Sequence, residues 1–379
     1  MHRRDAESAE LNPPFSSPQR LRSEIWVISR REVLTVRKFE PRLLPLHVGS
    51  VPYTDPQEAC RLTFKYFPQI PTWPQLPRRT FLENMYVQFS EGFPGVVLED
   101  GRIYVDRTQD LDPGLERLYV AYLENQLDYA ALSADYAAGF FEFIREASVL
   151  SRPLVAVKGQ VTGPVSWGLM VVDQNRRPVL YEEVLADAVA KHLRLKAAWQ
   201  ERELRKVCPN VIMFVDEPYM SSFGSAFVSL GREQAIALIE EVLAGIEGIK
   251  GVHCCGNTDW SLLLETSIDI LNLDAYEYAE ALSLYPVEVR AFLERGGIIA
   301  WGITPNNDKV VEETVESLVD KLHEAMNLLV RKGIPFEDIL TASLITPACG
   351  TGSLTPELAE RVFELTAGVS AAMRERYGG

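Results

Sequence analysis

The feature that most narrows the fold of this chain is an alternation. Eight apolar, β-branched runs, each ending in Gly, Pro or polar residues, are separated for the most part by longer segments of helical period. The runs are 44-LPLHVGSVP-52, 85-MYVQFSEG-92, 154-LVAVKGQVTGP-164, 211-VIMFVDEP-218, 251-GVHCCGN-257, 270-ILNLDAYE-277, 297-GIIAWGITP-305 and 340-LTASLITPACG-350. Strand patterns followed by helix patterns predict βα units on a parallel sheet, and eight of them predict a single (β/α)8 TIM barrel. After the second run, 96-VVLEDGRIYVD-106 reads as a β-hairpin turning at Asp-Gly, and roughly 111–150 reads as inserted helices. Residues 1–40 are polar and Arg-rich with NPP and SSP breakers, which reads as an N-terminal tail or extension and leaves 41–379 to the barrel.

A hydrophobic fraction of 47% in 379 residues is enough for a sizeable core. The formal net charge of −15 argues against nucleic acid as a partner, because that binding relies on clustered Lys and Arg. No run approaches the roughly 18 apolar residues that cross a bilayer, and the first residues lack the apolar stretch of a secretory signal. A cytoplasmic location without membrane contact is therefore expected. Five cysteines, an odd number without the dense spacing of a disulfide scaffold, are expected to be reduced thiols.

The stretch 251-GVHCCGNTDW-260 raises the question of a metal. Side chains two apart on a strand face one side, so His253 and Cys255 point together while Cys254 points the other way, into the helix layer. A His and a Cys at the C-terminal end of a barrel strand lie on the face where barrel active sites are built. Zinc needs further donors from neighbouring strand ends. The next strand offers Asp274 and Glu277, and the last offers Cys349. One Cys or one His on a strand is usually a buried core residue; three such residues at rim positions, with an acid on the strand between, reverse that reading.

Several segments together, namely HVGS, KGQVTGPVSW, VDEP, HCC followed by Glu277, and PACG, resemble the catalytic C-terminal barrel of cobalamin-independent methionine synthase. HCCGN and the late Cys are also similar to the zinc-containing methylcobalamin:coenzyme M methyltransferases; both groups belong to the uroporphyrinogen-decarboxylase-like barrel superfamily. The resemblance spans about residues 44–350. It implies Zn²⁺ held by His253, Cys255, Glu277 and Cys349, with His253, Cys255 and Cys349 as the catalytic set. It also implies a small-molecule thiol substrate, homocysteine, whose amino group is gripped by Asp216 and whose carboxylate is received at Ser50, with Glu91 as a further acid on the amino group. A free thiol has a pKa of about 8.5, and zinc removes that proton to present the sulfur as a nucleophile.

The chain departs from that family in two ways. It has no room for the second, N-terminal barrel, and 300-AWGITPNNDK-309 lacks the histidine with which the family protonates the folate leaving group. A methylated corrinoid leaves as a cobalt(I) species without needing a proton, so the expected donor is a corrinoid, carried by a corrinoid protein, ahead of a folate-type donor. Adjacent acids at 216 and 217 suit the ammonium of homocysteine better than the sulfonate of coenzyme M. The glycines of KGQVTGP lack the spacing of a nucleotide loop and read as a tight turn. Trp301 and Tyr276 at strand ends read as packing residues or as a wall for the corrinoid. A uroporphyrinogen decarboxylase would need cations for a polycarboxylate, and none cluster at HVGSVPYTDP. A non-catalytic zinc- or corrinoid-binding barrel is the rival of a different class.

Overall fold

Six of the eight expected strands form regular β-structure, and they lie side by side. In the computed structural model, which describes residues 39–226 and 228–378, the strands β1 (Val96–Glu99) and β2 (Arg102–Val105) make the expected hairpin, turning through Asp100 and Gly101 at φ of 51° and 69°. These positive values are those of a type I′ turn. β3 (Val157–Thr162), β5 (Val211–Asp216), β6 (Ile249–Cys254), β7 (Ile270–Leu273), β8 (Ile298–Thr304) and β9 (Ser343–Pro347) form one curled, wholly parallel sheet in that order. The two-residue β4 (Val172–Asp173) joins the hairpin. Residues 1–38 of the expected N-terminal extension lie outside the described residues.

The two remaining positions expected of a barrel are not regular strands. Residues 43–51 run beside β9, with Leu43 N donating to Ser343 O (2.9 Å), Leu46 N to Ile345 O (3.1 Å) and Ile345 N to Leu44 O (3.1 Å), but count only as an isolated bridge at Pro45. The second expected strand, 85-MYVQFSEG-92, is a correction. Met85–Gln88 is a short helix, begun by Asn84, whose side chain accepts from Tyr86 N at 3.1 Å. The position beside β3 is filled instead by residues 69–75, where Trp73 N donates to Lys158 O and Lys158 N to Pro71 O. Pro71 and Pro74 have no N–H to give, which breaks the ladder into single bridges and hid this segment among loop residues. Among the described residues the regular sheet therefore has six strands rather than eight.

Strand parity divides the core in two. Ala156, Ile212, Phe214, Ile249, Ile270, Ile298, Ala300 and Leu344 pack together inside the curl with Leu44, Leu46 and Ile70. Their alternate neighbours, among them Val157, Met213, Val252, Leu271, Ile299 and Ile345, pack in the second cluster with helices such as Glu183–Leu204 and Pro356–Tyr377. Burial on both faces explains the near-continuous apolar runs that made these strands legible. Toward the C-terminal ends the interior residues turn polar: Gln160, Thr162, Asp216, His253, Asn272 and Thr346, all buried.

Candidate metal centre

β6 carries Ile249 inside the curl, and by the same parity His253. Cys254 alternates outward as expected: it is fully buried in the helix-layer core, its thiol is within hydrogen-bond reach of Gly256 O (3.4 Å), and burial pushes its pKa up to about 12. Cys255 follows the strand end. Across the mouth, β9 ends at Pro347 and the chain turns through Ala348, whose N–H donates to Thr304 O at 2.8 Å, to bring Cys349 inward. One ligand atom from each of His253, Cys255 and Cys349 lies within 4.8 Å of the others.

The three side chains shift one another's protonation. The hydrogen bond from Cys349 pulls the Cys255 thiol well below the usual thiol range, against burial and with help from His253, while the same contact pushes Cys349 up. Burial disfavours the His253 imidazolium, but the adjacent Cys255 outweighs it and raises its pKa. His253 Nδ1 donates to Asn272 Oδ1 at 2.7 Å, and Asn272 Nδ2 donates to Ala300 O (2.9 Å) and Thr346 Oγ1 (2.8 Å). With its NH₂ so committed, the amide must present oxygen to the ring. His253 Nε2, buried and without a hydrogen-bond partner, is thus left facing the thiols. An oriented imidazole and two thiols are the donor types zinc takes, so the residues fit that metal.

Neither candidate carboxylate, Glu277 or Asp274, is among the three. β7 stops at Leu273 and a helix, Ala275–Leu282, starts at once with Asp274 as its N-cap. Glu277, in its first turn, is 39% exposed and ion-pairs with Lys309 at 2.5 Å. Asp274 is 8% exposed; burial raises its pKa to about 6, and its carboxylate feels the charges of Cys255 and His253.

Asp216, the register partner of His253, is buried with Oδ1 lacking any hydrogen-bond partner. Burial raises its pKa to about 6, opposed by Lys158 and His253. Its neighbour Glu217 has a different task. Its carboxylate accepts from Val165 N (2.9 Å), Ser166 N (2.7 Å) and Ser166 Oγ (2.6 Å), closing the start of the helix Pro164–Met170. Ser50 lies against the Cys349 loop: its carbonyl accepts from Thr351 N at 2.8 Å, and a Cβ at Gly350 would stand 2.2 Å from its Oγ. Glu91 points elsewhere, accepting from Ser133 N at 2.8 Å and facing the buried Lys196. It anchors the insertion.

The sequence reading missed Asn272 and Tyr86. Asn272 is the register partner of His253, a lone polar residue on an otherwise apolar strand, which was a usable signal. Tyr86 was concealed by the mistaken strand. Its helix is pinned to β3 by Thr162 Oγ1 donating to Met85 O and to the helix Pro164–Met170 by Trp167 Nε1 donating to Tyr86 O, both 2.8 Å. The Tyr86 ring stands 6.4 Å from that of Tyr219, and its phenol is kept protonated by burial, then by Tyr219, Glu217, Cys255 and Asp216. Trp301 is buried in the sheet–helix core, and Tyr276 lies under Lys321 with its hydroxyl on Glu313. Both are packing residues.

No family model matches the chain, and no curated protein matches it. Solved structures do. A B12-independent methionine synthase from Shewanella sp. W3-18-1, in complex with selenomethionine, superposes with a TM-score of 0.57 at 17% identity, over 88% of this chain and 98% of that one. A methyltransferase from Methanosarcina mazei gives 0.53 at 15%, over 86% of each chain. A putative vitamin-B12 independent methionine synthase from Listeria monocytogenes gives 0.52 at 14%, over 89% and 99%. At these identities the likeness is one of fold, and it extends over most of both partners.

Proposed function

We propose that this chain is a zinc-dependent methyltransferase that methylates the thiol of a small amino acid, homocysteine, using a corrinoid or folate-type methyl donor. The observation that carries the reading is the convergence of His253, Cys255 and Cys349 near Asp216, a buried carboxylate whose Oδ1 has no hydrogen-bond partner. His253, Cys255, Cys349 and the rim carboxylate of Asp274 would hold the metal, and Glu277 is the less suited acid. Bound zinc supplies Lewis acidity that keeps a substrate thiol as thiolate at neutral pH.

The protein's own residues do the rest. Asn272 fixes the His253 tautomer, so Nε2 needs no reorganisation to act as a donor. Asp216 Oδ1 is positioned to accept from an ammonium, which would satisfy a buried acceptor that otherwise costs about 1–3 kcal/mol. The Ser50 turn, which lies against the Cys349 loop, would receive the carboxylate of the same amino acid. The neutral Tyr86 phenol is a donor in the mouth, and the loop 300–309 holds no histidine, which favours the corrinoid, a donor whose departure takes no proton. The shared fold with a methionine synthase solved with selenomethionine and with a methyltransferase supports the assignment.

The test is single-turnover methyl transfer by zinc-loaded protein with homocysteine and methylcobalamin, 5-methyltetrahydrofolate in parallel, and coenzyme M as competing acceptor. Methionine formed from methylcobalamin is the expected result. No methionine from either donor, or methylation of coenzyme M instead, overturns the reading.

A further inference from the structure

Inside the curl, one layer beneath the mouth, sits a lysine that the proposed chemistry does not use. Lys158 on β3 is completely buried, with its ammonium 4.4 Å from the centre of the Phe214 ring. Nζ donates to Val48 O at 2.5 Å and to Gln160 Oε1 at 3.0 Å, and Gln160 Nε2 donates onward to Trp73 O at 3.2 Å. These contacts reach the two barrel positions that lack a regular ladder. Residues 43–51 and 69–75 are joined to each other and to the sheet by isolated bridges, among them Gln75 N donating to Gly49 O (3.1 Å) and Val51 N to Gln75 O (3.0 Å), and side chains add to this sparse backbone pairing.

What the lysine holds is the turn beside the metal centre. Val48 is followed directly by Gly49 and Ser50. A Cβ at Gly49 would stand 2.7 Å from Gln75 Oε1 and 2.9 Å from the Gln160 amide carbon, so this backbone lies directly on the glutamine layer. On its other side Ser50 meets Gly350 and accepts from Thr351. The turn is therefore clamped between the Lys158–Gln160 pair below and the Cys349–Gly350 loop beside it. Gln75 pairs with the backbone at Gly49 O and Val51 N, and Lys158 holds the residue just before that pairing, so releasing the Val48 carbonyl loosens the entry to the turn.

We propose that Lys158 is a positioning residue of the acceptor pocket: by holding the Val48 carbonyl it fixes the Gly49–Ser50 turn against the Cys349 loop, where the carboxylate of the amino-acid acceptor is received. The inference rests on the acceptor assignment made above. Lys158 acts through the turn and does not touch the metal ligands. Burial draws its pKa down to about 7 with Asp216 opposing, and its two hydrogen bonds are made by either protonation state.

The experiment is calorimetric titration of zinc-loaded protein with methionine and with homocysteine, on the wild type, Lys158→Met, Lys158→Gln, Ser50→Ala and Lys158→Met/Ser50→Ala. Zinc stoichiometry and melting temperature are recorded for each. Expected is a loss of acceptor affinity of about tenfold or more in Lys158→Met with zinc still bound one to one, because a displacement of the order of 1 Å is costly at such a site. The double variant should bind about as weakly as Ser50→Ala alone, since both changes act on one turn. Wild-type affinity in either lysine variant, or losses that multiply in the double variant, overturns the inference while leaving the acceptor assignment standing. Should neither lysine variant fold, unchanged affinity in Ser50→Ala overturns it. A wild type that binds neither amino acid removes the acceptor assignment and this inference together.

Discussion

Asn272→Leu isolates the outer part of the proposed metal centre, the hydrogen bond that orients His253. The substitution keeps the volume on β7 and removes the Oδ1 that accepts from His253 Nδ1 at 2.7 Å. Without it the imidazole is free to rotate and to take the other tautomer, which puts a proton on the nitrogen facing the thiols. Losing such an outer partner costs 10–100-fold in metal affinity, about 1.4–2.8 kcal/mol. Ala300 O and Thr346 Oγ1 lose their Asn272 donor as well, and a buried acceptor left without one costs about 1–3 kcal/mol of stability. Zinc affinity is read by competition with a chromophoric chelator, and stability by denaturant unfolding of the metal-free protein. The expectation is a 10–100-fold weaker zinc complex in a protein that still unfolds cooperatively. Wild-type zinc affinity in Asn272→Leu would refute the reasoning that His253 is oriented for a metal.

The other predictions concern neighbouring acids. Asp274→Asn should weaken zinc binding by at least tenfold while Glu277→Gln changes it less than twofold, because Glu277 is exposed and held by Lys309; the chelator competition separates them. Asp216→Asn should raise the Michaelis constant for homocysteine by about tenfold or more and leave zinc stoichiometry at the wild-type value, the loss expected for one charge-assisted hydrogen bond. Glu217 gives a pH signature. Burial raises its pKa from 4.5 to about 7, so the native state holds a proton that the unfolded chain has released. The stability this contributes is complete below about 4.5, falls as pH rises to about 7, and is flat above. Denaturant midpoints should therefore decline across that window in the wild type relative to Glu217→Gln, and parallel curves would contradict the assignment.

What was legible in the sequence follows from where burial is two-sided. Runs such as 211-VIMFVD-216 and 298-IIAWGIT-304 are apolar on both faces because they sit between an interior core and a helix layer, and no other arrangement accounts for them as simply. The first two barrel positions were harder, because prolines at 45, 71 and 74 forbid a ladder there. At the second, residues 69–75 looked like loop, whereas MYVQF imitated a strand until the Asn84 cap made it helical. The error hid Tyr86.

The candidate cluster was legible to the extent that strand parity reaches. Bringing His253, Cys255 and Cys349 together needed only alternation and strand ends, whereas where Asp274 and Glu277 stand depends on the helix beginning at Ala275, which parity does not reveal. Asn272 and Lys158 are polar residues at interior positions, visible as anomalies. Their roles depended on cross-strand register and on which carbonyl each one meets.

The measurement that bears most directly on the central claim is X-ray absorption at the zinc edge on the zinc-loaded protein, with and without homocysteine. The predicted shell holds two sulfurs at about 2.3 Å with nitrogen and oxygen neighbours, and gains a third sulfur at the expense of an oxygen when homocysteine is added. A protein that takes up no stoichiometric zinc, or a shell that homocysteine leaves unchanged, would contradict it.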